Sequence, residues 1–167
     1  MDVINNRRSI RKYLDKAVEK SKIEKIIRAG MQAPSAGNQQ VWEFIIVTNR
    51  ETLSKISQMS PYSSMVANSA FALVLLANVE KCIFPDFWQQ DLASCSQTIL
   101  LEIVNQGLGG VWLGVAPLEE RMTYLSNLLQ LPDKLKAFSV IPVGYPAEDQ
   151  ENKFIDRYNP EIVKYII

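Results

Sequence analysis

Apolar residues along this chain fall into two patterns: recurrence at helical spacing, and short uninterrupted runs. Ile23, Ile26, Ile27 and Met31 lie three or four residues apart, the spacing of one buried helix face. Ser21-Lys22-Ile23-Glu24 reads as a capping box opening that helix, the serine oxygen taking an orphan N–H and Glu24 reaching back. Trp42-Glu43-Phe44-Ile45-Ile46-Val47 is aromatic and β-branched and predicts a strand. Thr48 and Glu51 read as a second capping box for a helix through Ile56, and Pro61 to Asn68 as irregular or a short helix. Ala70 to Ala77 is apolar on both faces and predicts a central strand covered on both sides. Pro85-Asp86 precedes the longest predicted helix, about Phe87 to Gln106. Trp88, Leu92, Cys95, Ile99, Ile103 and Val104 give it a wide apolar face, widened further by Leu100 and Leu101.

Gly107 suits a left-handed helix cap with Leu108 packing back. Val111 to Gly114 predicts a third strand. Pro117 to Gln130 predicts a helix, with Leu118, Met122, Leu125 and Leu129 on one face and Pro132 as its stop. Phe138 to Tyr145 predicts a fourth strand, in which Pro142 lacks an N–H and belongs at an edge or a bulge. After Pro146 the chain is polar, then ends in an apolar, β-prone run from Ile162 to Ile167. Such a run is expected to add a strand or wrap over another surface.

With 167 residues, the chain is expected to form one domain, 1–167, able to bury a substantial core. The 18 basic and 18 acidic residues cancel. Together with a pI near 6.3, this argues against nucleic acid or an anionic membrane as a partner. The longest apolar run, Phe71 to Ala77, is too short to span a bilayer. The charged start lacks the apolar segment of a signal peptide, and two isolated cysteines, Cys82 and Cys95, suit a cytoplasmic protein with reduced thiols. The absence of histidine excludes a Ser-His-Asp triad, a Cys-His pair and histidine metal sites, and no metal site is expected. With so few reactive side chains, a bound organic cofactor gains weight.

Three stretches carry candidate chemistry. Arg7-Arg8-Ser9-Ile10-Arg11 places three guanidinium groups and a hydroxyl in five residues. It reads either as a solvated basic patch or as an anion site, since arginine offers phosphate a planar fork of donors. Ile10 offers the segment an anchor into the core. Ala33-Pro34-Ser35-Ala36-Gly37-Asn38-Gln39-Gln40 is a loop poor in bulk and rich in donors and acceptors. It is either an ordinary connection or a backbone surface that a flat ligand can approach. Gly109 and Gly110 do not match a Rossmann or P-loop fingerprint, so they read as a helix stop with close packing.

Taken in order, Arg7–Arg11, Ala33–Trp42 and Gly107-Leu108-Gly109-Gly110-Val111-Trp112-Leu113-Gly114 resemble the three signature segments of the nitroreductase family of FMN-dependent oxidoreductases. Ile141 to Pro146 is similar to that family's last strand and turn. The resemblance covers essentially the whole chain and matches short members of the family. It implies an α+β fold, with a central, mostly antiparallel sheet flanked by helices. It also implies an intertwined homodimer whose C-terminal strand is exchanged and whose two FMN sites lie at the interface.

By motif position, the resemblance implies that Arg7, Arg8, Ser9 and Arg11 hold the FMN phosphate, ribityl chain and pyrimidine side, with Arg11 near N1 and O2. Pro34, Ser35, Ala36 and Asn38 match the loop that covers the flavin of the other subunit. Pro117-Leu118-Glu119 matches the segment whose backbone amide, at Glu119, points at N5, and Lys153 and Arg157 match basic residues for the phosphate. Position 41 is Val where the family often has Pro. The implied activity is ping-pong hydride transfer from NADH or NADPH through non-covalent FMN to a flat acceptor such as a nitroaromatic or quinone. The flavin does the chemistry, so no side-chain acid or base is required. Two alternatives stay open: a flavin-binding module without turnover, and a specialised relative that fragments flavin or removes halogen. The short segment from Val79 to Asp86 favours a small, open site over a lidded one.

Overall fold

In the computed structural model, which describes residues 2–167, strand β2 (Phe71–Asn78) is buried along its whole length. It pairs antiparallel with β1 (Trp42–Val47) on one side and with β5 (Leu135–Gly144) on the other. Beyond β5 lie two short antiparallel strands, β3 (Gly109–Gly110) and β4 (Leu113–Gly114). The sheet therefore has five antiparallel strands, with β1 at one edge. Successive residues of β2 point to opposite faces. Phe71, Leu73, Leu75 and Ala77 pack with Ile26 of α2 (Lys20–Gly30) and with Leu92, Cys95, Ile99 and Ile103 of α4 (Trp88–Asn105). Ala72, Val74 and Leu76 pack with Leu53 and Ile56 of α3 (Arg50–Ile56) and Leu125 of α5 (Glu119–Leu129). This two-sided burial is why β2 is apolar from Phe71 to Ala77.

The expected central strand, first strand and long helix are present, and so is the Gly107 cap. Gly107 has φ +73°, and its N–H and that of Leu108 donate to Val104 and Ile103 carbonyls, the Schellman arrangement. Two caps differ from expectation. Ser21 lies inside α2, which starts after Glu19, so the expected box does not form. The Glu19 carboxylate instead accepts the Tyr145 hydroxyl at 2.7 Å; a tertiary bond displaces the local one. α3 is capped by Asn49 rather than Thr48, the Asn49 Oδ1 accepting the Thr52 N–H at 2.9 Å. Asparagine is the better cap, with a side chain that reaches this donor. Met31 and Leu118 sit at helix ends and are exposed rather than on the buried faces.

The expected third strand is split: Val111 and Trp112 interrupt the ladder between β3 and β4. Pro142 is also not at an edge. It lies opposite Ala72 in a central strand, and its carbonyl accepts the Tyr13 hydroxyl at 3.1 Å. A strand residue directs its N–H and C=O to the same side. The missing N–H of Pro142 thus falls where the ladder to β3 and β4 is already broken. A bulge in β5 lies nearby, since Leu75 pairs Ser139 and Leu76 pairs Ala137. It frees the Phe138 carbonyl to accept both the Val115 and Ala116 N–H groups at 3.0 Å.

A short helix not expected from the sequence, α1 (Val3–Asn6), precedes the arginine segment. Residues 153–167 run over the surface with one 3-10 turn at Pro160–Ile162, and Phe154, Tyr158, Ile162, Tyr165, Ile166 and Ile167 are more than half exposed. Among the described residues, no helix is long and apolar enough to cross a membrane.

Candidate functional site

The Arg7–Arg11 segment is docked through its one apolar residue. Ile10 is buried, and its N–H donates to the Gly110 carbonyl at 3.0 Å. Ser9 forms a parallel bridge to Gly110. A Cβ on Gly109 would lie 2.6 Å from the Ile10 Cβ, so only glycine admits this approach. The Tyr13 hydroxyl lies 2.8 Å from the Ile10 carbonyl oxygen, and burial raises its pKa. Extended backbone alternates its side chains. Burying Ile10 therefore turns Ser9 and Arg11 outward, and both are exposed.

A returning segment fixes the other side. Asn152 accepts the Arg8 N–H at 3.0 Å and donates to the Leu108 carbonyl at 3.1 Å. Gln150 accepts the Arg11 N–H at 3.3 Å, and Lys12 pairs with Asp149. This return brings Arg157 to Arg7 and Arg8, where all three line one cleft with Asn5, Phe154, Tyr158 and one acid, Asp156, whose carboxylate accepts the Tyr158 N–H at 3.0 Å. The Arg7 pKa is lowered, first by burial and then by repulsion from Arg8 and Arg157. Among the described residues none of these three guanidinium groups forms an ion pair. The Arg8 Nη1 donates to the Arg7 carbonyl, but its Nε and Nη2 are buried without an acceptor. Buried donors are almost always satisfied, and a cluster of unsatisfied cationic ones fits an anion. Lys153 is different: its ammonium is 2.9 Å from Glu151, in a neighbouring cleft shared with Arg8, Ser9 and Asp149.

Arg11 faces another cleft, of about 410 Å³, lined also by Tyr62, Met65, Trp112, Gly114 and Arg121. Arg121 donates to the Gly114 carbonyl at 2.8 Å and adds a second cation there. Pro117 and Leu118 are exposed and lead into Glu119, the first residue of α5. N–H groups in a first helical turn have no acceptor within the helix, so Glu119 presents a free backbone donor. Its side chain lines a separate small cleft with Met122 and Lys136.

The Pro34–Asn38 loop is held elsewhere, against α4. The Ala36 N–H donates to Asp91 at 2.8 Å, and the Ser35 hydroxyl accepts the Gln40 N–H at 3.1 Å. Gly37, Asn38 and Gln40 all have positive φ, a costly conformation for the two that are not glycine. Buried Gln39 donates to Asp91 at 2.6 Å and accepts the Ile83 and Phe84 N–H groups, each at 2.9 Å. The residues lining the two arginine clefts do not include this loop. Within one chain the structure thus gathers Arg7, Arg8 and Arg157, places Ser9 and Lys153 in a neighbouring cleft with Arg8, turns Arg11 into a third cleft, and leaves Pro34–Asn38 apart.

Sequence reasoning missed Asn152, Arg121, Gln39 and Asp91. Asp91 had a signal: it falls on the buried stripe of α4 between Trp88 and Cys95, where a carboxylate requires partners.

The profile of the nitroreductase family matches residues 4–81. A protein of Archaeoglobus fulgidus, provisionally named an NADH dehydrogenase/NAD(P)H nitroreductase, is 42% identical over 96% of this chain and 94% of its own length. The chain belongs to the nitroreductase family. Two solved structures agree on this nitroreductase fold. A Clostridium acetobutylicum protein, provisionally described as an NADH oxidase, superposes with a TM-score of 0.94 at 51% identity, over 98% of this chain and 100% of that one. An FMN-dependent nitroreductase from Clostridium difficile gives 0.89 at 31%, over 98% and 96%.

Proposed function

We propose that this nitroreductase-family chain binds FMN without a covalent bond and acts as an NAD(P)H-dependent oxidoreductase. The observation that carries the reading is the half-buried Arg8 side chain, whose Nε and Nη2 are buried without an acceptor among the described residues, beside Arg7 and Arg157. That donor set fits a phosphate monoester, which accepts several charge-assisted bonds at once. Arg7, Arg8 and Arg157 would hold the phosphate, with Ser9 adding a hydroxyl and Lys153 tied up by Glu151. Arg11 would lie on the pyrimidine side, in the cleft with Trp112 and Gly114, where fixed positive charge stabilises negative charge as it develops. The Glu119 backbone N–H would be the donor toward N5.

Bound FMN would supply the chemistry for hydride transfer between NADH or NADPH and a flat acceptor such as a quinone or nitroaromatic, the two substrates using one open face in turn. The chain's own residues orient the ring, hold its phosphate and exclude water from one face. We further propose a homodimer, because Pro34, Ser35, Ala36 and Asn38 lie apart from the arginines in one chain; a second copy would bring its loop over the ring. The unpaired outer edge of β1, where Ile46 is exposed, offers a place for the partner's residues 159–167.

The test is steady-state kinetics over a matrix of nicotinamide and menadione concentrations, with anaerobic spectra of the protein. Parallel double-reciprocal lines and flavin bleaching without acceptor are expected. Intersecting lines would overturn the alternating scheme. Bound flavin that neither NADH nor NADPH bleaches would make the protein a flavin holder without turnover.

A further inference from the structure

We propose that Arg121 is a second cation on the flavin, set in the same cleft as Arg11 so that the site holds the reduced ring more tightly than the oxidised one and raises its midpoint potential. The proposal rests on the reading above, in which the pyrimidine end lies in the Arg11 cleft. Arg11 and Arg121 both line that cleft, and among the described residues no carboxylate lines it. The phosphate cleft, by contrast, sets Asp156 among its arginines. Among the described residues neither Arg11 nor Arg121 forms an ion pair. Two like charges in one cleft repel, and only an occupant that carries or gains negative charge offsets that cost. The oxidised pyrimidine ring is neutral. A hydride taken from NADH or NADPH brings two electrons and one proton to the ring and leaves the nicotinamide oxidised, so the pyrimidine end gains one negative charge. Cations fixed where that charge develops favour the reduced state selectively.

Arg121 stands at a place that is costly for a cation. It lies in the first turn of α5, where the free N–H groups of the helix disfavour positive charge. Glu119 and Glu120 do not compensate it, because residues one or two apart on a helix do not face each other. The Glu119 side chain lines another cleft, with Lys136. The Arg121 Nη1 donates to the Gly114 carbonyl at 2.8 Å, which fixes the guanidinium at the cleft wall. Arg11 is held less firmly, its Nη1 lying 3.4 Å from the Ser9 carbonyl oxygen. Gly114 is an independent sign of an occupant. Its φ is not positive, and a Cβ built on it would meet nothing within 4 Å, so neither backbone conformation nor packing requires glycine there. In β4, Leu113 is buried while Gly114 is exposed and lines the cleft. The missing side chain leaves open floor beside the Arg121 guanidinium, room for the edge of a flat ring.

The experiment measures the two-electron midpoint potential of the flavin-loaded protein, by anaerobic reductive titration against a reference dye, together with the Kd for oxidised FMN. Arg121→Gln is expected to lower the preference for reduced over oxidised flavin about tenfold, a fall of about 30 mV for a two-electron couple, while the oxidised Kd stays within about threefold of the parent's. Arg121→Lys, which keeps the charge, is expected to recover most of that fall. Gly114→Ala is expected to weaken both redox states alike, leaving the potential unchanged and the melting temperature of the flavin-free protein no lower. A parental potential in Arg121→Gln would overturn the proposal. So would an Arg121→Lys potential as low as that of Arg121→Gln, since Arg121 would then serve only to prop Gly114. A Gly114→Ala protein that binds FMN as tightly as the parent would put the ring outside this cleft and overturn the proposal as well. A parent protein that holds no flavin would overturn the FMN reading instead, so the two failures are distinguishable.

Discussion

Ile10 occupies the space that any side chain at Gly109 would need: its Cβ, Cγ1 and Cγ2 lie 2.6, 2.7 and 2.7 Å from where that Cβ would stand. The arginine segment is thus seated by a single knob on a residue with no side chain. Gly109→Ala is expected to lift Ile10, destabilise the protein by about 1–3 kcal/mol as overpacking does, and loosen flavin through its neighbours. Chemical denaturation and flavin titration check this. Unchanged stability with tight flavin would show that the segment is anchored elsewhere.

Arg7 and Arg8 are expected to trade stability for binding. Arg7→Ala should weaken FMN by about 1.5–3 kcal/mol, the range for hydrogen bonds to charged groups, or roughly tenfold or more in Kd. Arg8→Met should release FMN yet raise the melting temperature of the flavin-free protein, because it removes buried donors that have no acceptor. Calorimetry with and without flavin measures both. A flavin-free Arg8→Met protein that melts lower than the parent would mean that the guanidinium is satisfied in the absence of ligand.

Deleting Asn159–Ile167 leaves Arg157 in place but removes Ile162, Val163, Tyr165, Ile166 and Ile167. The expected outcome is a weakened dimer and a coupled loss of flavin, seen by sedimentation and absorbance. Arg157→Ala, by contrast, should lose flavin while the dimer persists. A stable, flavin-loaded monomer after the deletion would refute the proposed exchange.

The Glu19–Tyr145–Lys22 cluster gives a pH signature. The Tyr145 hydroxyl, donating at 2.7 Å, is the main cause holding the Glu19 carboxyl below its usual range. The Lys22 ammonium, donating to the same oxygen at 3.0 Å, is raised chiefly by that bond. A depressed carboxyl stabilises above its unfolded pKa, about 4.3, and loses this as pH falls through its folded value; a raised amine stabilises below about 10.4 and loses this as pH rises further. The stability gap between parent and Tyr145→Phe should therefore be flat from about pH 5 to 9 and narrow outside it. Denaturant titrations across pH read this gap; one that stays constant down to pH 3 would place the Glu19 bond outside the folding equilibrium.

Particular residues show how far the sequence could be read. β2 was legible because burial on both faces leaves no polar position in Phe71–Ala77. Ile10 was legible as an anchor because it alone is apolar among charged neighbours. The start of α2 was not, since Glu19 answers to Tyr145, more than a hundred residues away. Pro142 was misplaced because its tolerance depends on a break in a different strand. The arginines were legible by type, but their convergence depends on Asn152 and Arg157, whose approach to Arg8 no local pattern encodes. The bond between Gln39 and Asp91 was legible only as an acid on an apolar stripe, without its partner.

The bond between the Arg8 N–H and Asn152 joins residues 144 positions apart. At a synthesis rate of 5–20 residues per second, roughly 7–29 s separate their appearance on the ribosome. Throughout that interval the arginine segment has been made but Asn152, which closes it, has not; Gly110, on which Ile10 docks, appears only after about two-thirds of it. The segment's cationic groups stay solvated and free to meet any polyanion nearby, including the ribosome itself. Closure of the arginine cleft is thus set late in the life of the nascent chain, and a stalled or truncated product would carry the arginines without it.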